Sequence, residues 1–105
     1  MIYKLIITKE MDRLLDKNIY YLIYRLKSKQ SAKHLLDSVE KIYSNIIKNP
    51  RMYRESEDLV LKSLHYHEAK LPDMNYVIIY KIVENTIYVL GIFHCLEDYN
   101  NKLIK

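Results

Sequence analysis

The sequence predicts an α+β domain: an N-terminal strand, an antiparallel hairpin of two helices, and then a mainly antiparallel sheet. Three observations lead to this fold class. The chain opens with a β-branched stretch, continues with two long stretches of helical period, and closes with apolar runs separated by short polar breaks. Its 105 residues, half of them hydrophobic, suffice for one domain over residues 1–105 with a single core.

A change in the spacing of the apolar residues marks where the first predicted strand ends and the first predicted helix begins. The stretch "IYKLIIT", residues 2–8, is β-branched and aromatic, and alternate positions fall on one face of a strand. From Lys9 the apolar residues recur at helical spacing, and Thr8 is a suitable N-cap. The predicted apolar stripe of this helix is Met11, Leu15, Ile19, Leu22 and Leu26.

A second helix follows the polar break "KSKQS". Ser31 is the predicted cap, and Asn49-Pro50 is the predicted end, because the residue before proline disfavours helix. Two amphipathic helices with so short a connection should pack antiparallel over one face of a sheet. The predicted stripe of the second helix is Ala32, Leu35, Val39, Ile42 and Ile46.

Three further strands complete a predicted sheet of about four. "RMYRESED" is predicted as a loop, and "LVLKSLHYHEAKL" is a weakly alternating strand candidate that ends at Pro72-Asp73. "NYVIIYKIV" and "TIYVLGIF" are clear strands joined at Glu84-Asn85, where Asn85 could take the left-handed conformation of a tight turn. The last ten residues, "LEDYNNKLIK", are predicted to form a short helix or tail.

Charge and cysteine content indicate the compartment and the kind of partner. Residues 1–54 carry 12 Lys and Arg against 5 Asp and Glu, and residues 55–105 carry 5 against 8. A basic first half suits nucleic acid or an acidic protein, although a biased composition alone could produce it. We expect no membrane segment and no signal peptide, and Cys95 has no partner for a disulfide. The cytoplasm is therefore the predicted location.

The histidines raise the question of a metal site. His65 and His67 are two residues apart and would share a face of a strand, where His94 or Cys95 could complete a zinc site. No further ligand at suitable spacing supports that reading, so we predict neither metal nor cofactor. Cys95 is not favoured as a nucleophile, because adjacent strand residues point to opposite faces.

The order and spacing of four stretches resemble the RelE/ParE family of bacterial toxins from type II toxin-antitoxin modules. They are "YKLIIT" before a long helix, "SAKHLLDSVEKIYSNIIKNP", the hairpin "YVIIYKIVENTIYVLGIFH" and the close "HCLEDY". The resemblance covers nearly the whole chain. It implies growth inhibition through cleavage of messenger RNA on the ribosome or through poisoning of DNA gyrase.

The resemblance also indicates where a catalytic site would lie. Members that cleave messenger RNA carry basic residues on the sheet and a general acid or base near the chain end, and cations stabilise the charge that builds on phosphate. Two positions that are often arginine in those enzymes are Val77 and His67 here. The alternative that the protein is a weak ribosome-dependent endoribonuclease is kept. Its catalytic candidates are His94, Tyr99 and His67, and its nucleic-acid-binding candidates are Lys62, Lys70 and Lys81.

Both His94 and Tyr99 also have a structural interpretation, which we favour: they could anchor the C-terminal segment against the sheet. The resemblance implies a cognate antitoxin, and the basic first half suits an acidic one. The target would be the ribosome with its messenger RNA, or DNA gyrase. A homodimer is a further partner hypothesis, since small folds of this kind expose apolar surface when alone. The rival class is a catalytically inert binding module that serves only complex assembly or operon autoregulation.

Overall fold

The computed structural model describes residues 2–56 and 59–94. Its four strands are β1 Lys4–Ile7, β2 Tyr66–Lys70, β3 Tyr76–Val83 and β4 Thr86–His94. They form one sheet in the order β1-β4-β3-β2. Strands β2, β3 and β4 pair antiparallel, whereas β1 pairs parallel with β4. This is the predicted α+β class with a mainly antiparallel sheet.

Two long helices lie between β1 and β2 in the chain. They are α1 Lys9–Tyr20, which continues as a π-helical turn over Tyr21–Arg25, and α2 Lys29–Lys48. A short third helix, α3, covers Leu59–Ser63. Within the part of the chain described, no helix is long and apolar enough to cross a membrane.

The start of α1 is fixed by Thr8, as predicted. Its hydroxyl oxygen accepts a hydrogen bond from the Met11 amide at 3.2 Å, and the hydroxyl donates to the carbonyl of Val89 at 2.8 Å. One side chain therefore satisfies an orphan amide of the helix and ties the helix to β4. The predicted stripe needs two corrections. Leu14, which was not in it, is buried, and Leu26 is exposed because it lies just after the π-helical turn, which shifts the last residues out of register.

The start of α2 differs from the prediction by three residues. Ser28, not Ser31, is the N-cap: the Ser28 oxygen accepts from the Ser31 amide at 3.1 Å, and Ser31 lies in the first turn. The predicted end at Asn49 is confirmed, and all five residues of the predicted stripe are buried. They join the buried sheet residues in one hydrophobic cluster.

The stretch "LVLKSLHYHEAKL" is predicted as one strand, but its first five residues are helical. Its first residues form α3, and only Tyr66–Lys70 pairs with β3. His65 stands between the two elements at φ 60°, a left-handed conformation that ends the turn before the strand. The predicted loop "RMYRESED" also contributes to the sheet, because Glu55 forms an antiparallel bridge with His67 at the β2 edge.

The hairpin between β3 and β4 turns at Glu84-Asn85 as predicted, but the residue assignment was wrong. Glu84 takes the left-handed conformation at φ 56°, and Asn85 does not. Pro72-Asp73 ends β2 as predicted, with Asp73 at φ 65°. The predicted C-terminal helix or tail lies outside the described residues.

Candidate functional site

One face of the sheet carries a row of aromatic and cationic side chains. Tyr66 of β2 pairs with Lys81 of β3, Lys81 pairs with Tyr88 of β4, and Tyr88 pairs with Ile6 of β1. Directly paired residues share a face, so these four side chains cross the sheet side by side. All four are half-buried. We call this side of the sheet the open face, after its half-buried end; toward the other end of β3, Ile79 and Val77 point to the same side and are buried.

The ammonium group of Lys81 lies over the ring of Tyr88, with Nζ 5.6 Å from the ring centroid. This is the geometry of a cation–π contact, which holds the cation in place without neutralising it. Lys81 can therefore still meet an anion, while the neighbouring tyrosines offer flat rings and hydroxyl groups. The row is suited to a phosphate or carboxylate next to a planar group.

The open face is bordered by further charges. Lys70 lies on it four residues beyond Tyr66 and is exposed, and Lys4 lies on it at the β1 edge. Arg54 joins at the β2 edge, where its Nη2 is 3.7 Å from the Glu68 carboxylate. The buried Glu68 also accepts a hydrogen bond from the hydroxyl of Ser56 at 3.2 Å. Arg54 and Ser56 thus bind the Glu68 carboxylate, and the charges at the border of the open face are mainly positive.

The opposite face holds His67 in a fixed position. The His67 ring stacks on Tyr80 with the centroids 5.1 Å apart, and its Nδ1 is 2.9 Å from the carbonyl oxygen of Tyr53. A carbonyl can only accept, so Nδ1 carries the proton. The Tyr80 hydroxyl donates to the carbonyl of Pro50 at 2.8 Å, and burial raises the pKa of Tyr80. This arrangement joins the end of α2 to the sheet.

A cavity of about 360 Å³ adjoins this histidine. It is lined by Arg51, Glu55, His65, His67 and Ile82. Nδ1 of His65 is 2.9 Å from the Glu55 carboxylate, and this hydrogen bond lowers the pKa of Glu55. Within residues 2–56 and 59–94, no group of three or more His, Cys, Asp or Glu side chains could hold a metal ion. Four of the five lining residues have polar or charged side chains, and Ile82 is the apolar one.

The structure does not bring the predicted catalytic histidines together. His94 is the last residue of β4 and pairs with Tyr76, whereas His67 pairs with Tyr80, four residues along β3. Four residues of strand span about 13 Å, and the two histidines also lie two strands apart. The ring of His94 meets Tyr76 edge-on at 5.7 Å. Tyr99 and Cys95 lie outside the described residues.

The predicted nucleic-acid-binding lysines divide in a similar way. Lys70 and Lys81 share the open face, while Lys62 lies in α3. The sequence reasoning missed Tyr66, Tyr88 and Arg54. The sequence does place both tyrosines in predicted strands. Whether they lie beside Lys81, however, depends on how the strands are paired in register. Register is set by tertiary pairing and is not visible in one strand alone.

The two positions where the resemblance implies arginine carry buried side chains. Val77 is 1% exposed and His67 is 5% exposed. Neither side chain offers a cation to a bound phosphate: valine has none, and His67 is stacked and hydrogen-bonded within the fold. The cationic groups on the sheet come instead from Lys81, Lys70 and Arg54.

Comparison with known proteins agrees with the fold. The family model described as "ParE toxin of type II toxin-antitoxin system, parDE" matches residues 5–99. A chain from the chromosomal ParDE toxin-antitoxin system of P. aeruginosa superposes with a TM-score of 0.71 at 15% identity, covering 89% of this chain and 96% of that one.

The toxin RelE of E. coli, a double arginine-to-alanine variant in the free state, superposes with a TM-score of 0.60 at 14% identity. That match covers 98% of this chain and 94% of that one. Comparison with curated protein sequences finds no match. The family model spans nearly the whole chain, and so the chain belongs to the ParE toxin family of type II toxin-antitoxin systems.

Proposed function

We propose that this protein is the toxin of a type II toxin-antitoxin module and that it inhibits growth through the open face of its sheet. Family membership supports the toxin role. The assignment to this face rests on one observation, the half-buried row of Tyr66, Lys81 and Tyr88. In this row Lys81 lies over an aromatic ring and can still bind an anion. A hydrophobic core does not need partly exposed aromatic and charged side chains side by side, whereas a binding surface does.

For the target, we favour DNA gyrase over messenger RNA on the ribosome. Cleavage of RNA needs positioned cations, and losing one such donor costs ~3 kcal/mol of transition-state stabilisation, or about a hundredfold in rate. Val77 and His67 occupy two of the positions concerned, and both are buried. Lys81, Lys70 and Arg54 could replace part of that charge, so a weak nuclease is the second candidate.

The proposed partner in the cell is a cognate antitoxin with an acidic binding segment. Residues 1–54 have a net charge of +7, which complements such a segment and speeds association at low salt. We place the complex in the cytoplasm, in keeping with a single cysteine. Without the antitoxin, the exposed apolar side chains of the helices give a route to a homodimer.

The first experiment is induction of the chain alone in bacteria, with growth followed at confirmed soluble expression. Growth arrest that is relieved by the neighbouring small open reading frame supports the toxin role. Unimpaired growth would instead support the catalytically inert binding module, which keeps the fold for assembly or autoregulation.

The second experiment identifies the target. Purified protein is added to a translating extract and, separately, to a gyrase supercoiling reaction. Inhibition of supercoiling that persists in His94→Ala and Tyr99→Phe supports the gyrase proposal. Codon-positioned cuts in messenger RNA that disappear in both variants would reverse it in favour of the nuclease.

A further inference from the structure

The connection between the two long helices is the most basic region of the chain. Residues 17–34, here called the hairpin tip, contain five Lys and Arg residues and no Asp or Glu. The tip comprises the end of α1, the π-helical turn, the connection and the start of α2. Its cations are Lys17, Arg25, Lys27, Lys29 and Lys33.

All five cations are exposed. Among residues 2–56 and 59–94, none of the five has an ion-pair partner, whereas Arg13, four residues before the tip, pairs with Glu10 and Arg54 pairs with Glu68. Like charges placed this closely repel one another and destabilise the folded state. A surface that carries these five cations and no acidic residue of its own is suited to binding a polyanion.

Exposed tyrosines lie among these cations. Tyr20 is 62% exposed and Tyr24 is 57% exposed, and their ring centroids are 4.6 Å apart with a 37° tilt. The two residues are one helical turn apart, so their rings form a continuous aromatic surface on the outside of the helix. Tyr21, at 47% exposure, adds a third ring to the tip. This much exposed aromatic area contributes little to the core.

The backbone brings the charges of two helices together. The Leu26 amide donates to the carbonyl of Tyr21 at 3.2 Å, which closes the π-helical turn, and the Ser28 amide donates to the carbonyl of Leu22 at 2.9 Å. Lys27 stands between them at φ 54° and reverses the chain. The basic end of the first helix therefore adjoins the basic start of the second.

We propose that the hairpin tip binds single-stranded nucleic acid, with its cations on the phosphates and the Tyr20–Tyr24 ring pair stacked on a base. Single-strand sites combine these two elements, a positive surface along the backbone and aromatic rings for the bases. This activity is additional to the proposed toxin function and uses a surface other than the open face. An acidic protein segment would use the cations but would gain little from the paired rings.

The test is fluorescence anisotropy of purified chain with labelled oligo(dT) at several salt concentrations. Five phosphate contacts predict a slope of log K against log salt of about −3.5 at most. Lys27→Gln with Lys29→Gln should reduce the magnitude of this slope by about 1.4. The matched control, Lys41→Gln with Lys48→Gln, changes two exposed lysines of α2 outside the tip and should leave binding unchanged.

The aromatic part of the proposal is tested by two pairs of variants. Tyr20→Ser with Tyr24→Ser should weaken binding about ten- to hundredfold with an unchanged salt slope. Tyr20→Phe with Tyr24→Phe keeps the rings and should bind like the parent. A competition with poly-glutamate separates the two kinds of anion. No measurable binding to oligo(dT) would overturn the proposal. Equal displacement by poly-glutamate together with no effect of ring removal would also overturn it and would assign the tip to an acidic protein.

Discussion

The two faces of strand β4 have different surroundings, although their residues alternate along one chain segment. Ile87 and Val89 point to one side and are completely buried, whereas Thr86 and Tyr88 point to the other and are half-buried. The buried side belongs to the same hydrophobic cluster as the helix stripes. The open side carries the Tyr66–Lys81–Tyr88 row. The first half of β4 thus alternates between core residues and half-buried residues, whereas Gly91–Phe93 in the second half are all buried.

The largest expected effect comes from the buried side. Ile87→Ala should lower the free energy of unfolding by about 2–5 kcal/mol, because it removes a fully buried side chain and leaves a cavity. Thr86→Ala, one residue away on the open side, should cost less than about 1 kcal/mol. Urea denaturation of both variants measures the difference. Equal losses would contradict the assignment of the two faces.

A smaller effect is expected from the buried Tyr80 hydroxyl, which links the sheet to the end of α2. Tyr80→Phe removes the donor to the Pro50 carbonyl and should cost about 1–2 kcal/mol near neutral pH. Tyr24→Phe, which alters an exposed ring, should cost almost nothing.

The same variant has a predicted pH dependence. Because the pKa of Tyr80 is raised in the folded state, its stabilising contribution is complete below the unfolded pKa of about 10 and is lost as the pH rises further. The advantage of the parent over Tyr80→Phe should therefore shrink above about pH 10. Burial also raises the pKa of Tyr43 to about 12. Because Tyr43 is present in both proteins, the parent and Tyr80→Phe should each still lose some stability at alkaline pH. A constant difference across this range would count against the buried Tyr80 hydroxyl.

The turn between β3 and β4, where both faces begin, offers a smaller gain. Glu84→Gly should stabilise the protein by about 0.5–1 kcal/mol, since glycine takes the positive φ of this position without steric cost. Asn85→Gly is the matched control and should give no gain, because Asn85 does not have a positive φ. Thermal unfolding compares the two. A gain at Asn85 alone would mean that the turn is of a different type.

The smallest expected change in stability lies on the open face and is paired with a change in activity. Lys81→Gln should alter the free energy of unfolding by less than about 0.5 kcal/mol while reducing growth inhibition on induction. Lys41→Gln, at an exposed position of α2, should affect neither. Full toxicity of the Lys81 variant at equal expression would remove the open face from the proposed function.

Much of the fold is readable from the sequence because its elements have regular periods. The stripe from Ala32 to Ile46 predicted α2 and its buried face, and Thr8 predicted the start of α1. The errors fall where several residues could serve the same role. Ser28 and Ser31 are both good caps, and Glu84 and Asn85 compete for one left-handed position, so tertiary context decides.

The candidate site was harder to predict because it is built across strands. Lys81 was a candidate from its charge, but nothing near it in the chain indicates Tyr66 or Tyr88 as neighbours. The short helix α3 was missed for a related reason: "LVLKS" is apolar enough for strand or helix, and five residues give too little period to choose.

The parallel pairing of β1 with β4 has a consequence for synthesis of the protein. Lys4 pairs with Thr86, which follows it by 82 residues along the chain. The sheet cannot close until β4 has left the ribosome, and such distant pairing slows folding because a long loop must be ordered first. We expect a nascent chain to stay without its complete open face until β4 has been made. Chains that terminate before β4 should therefore lack the surface on which the proposed toxic activity depends.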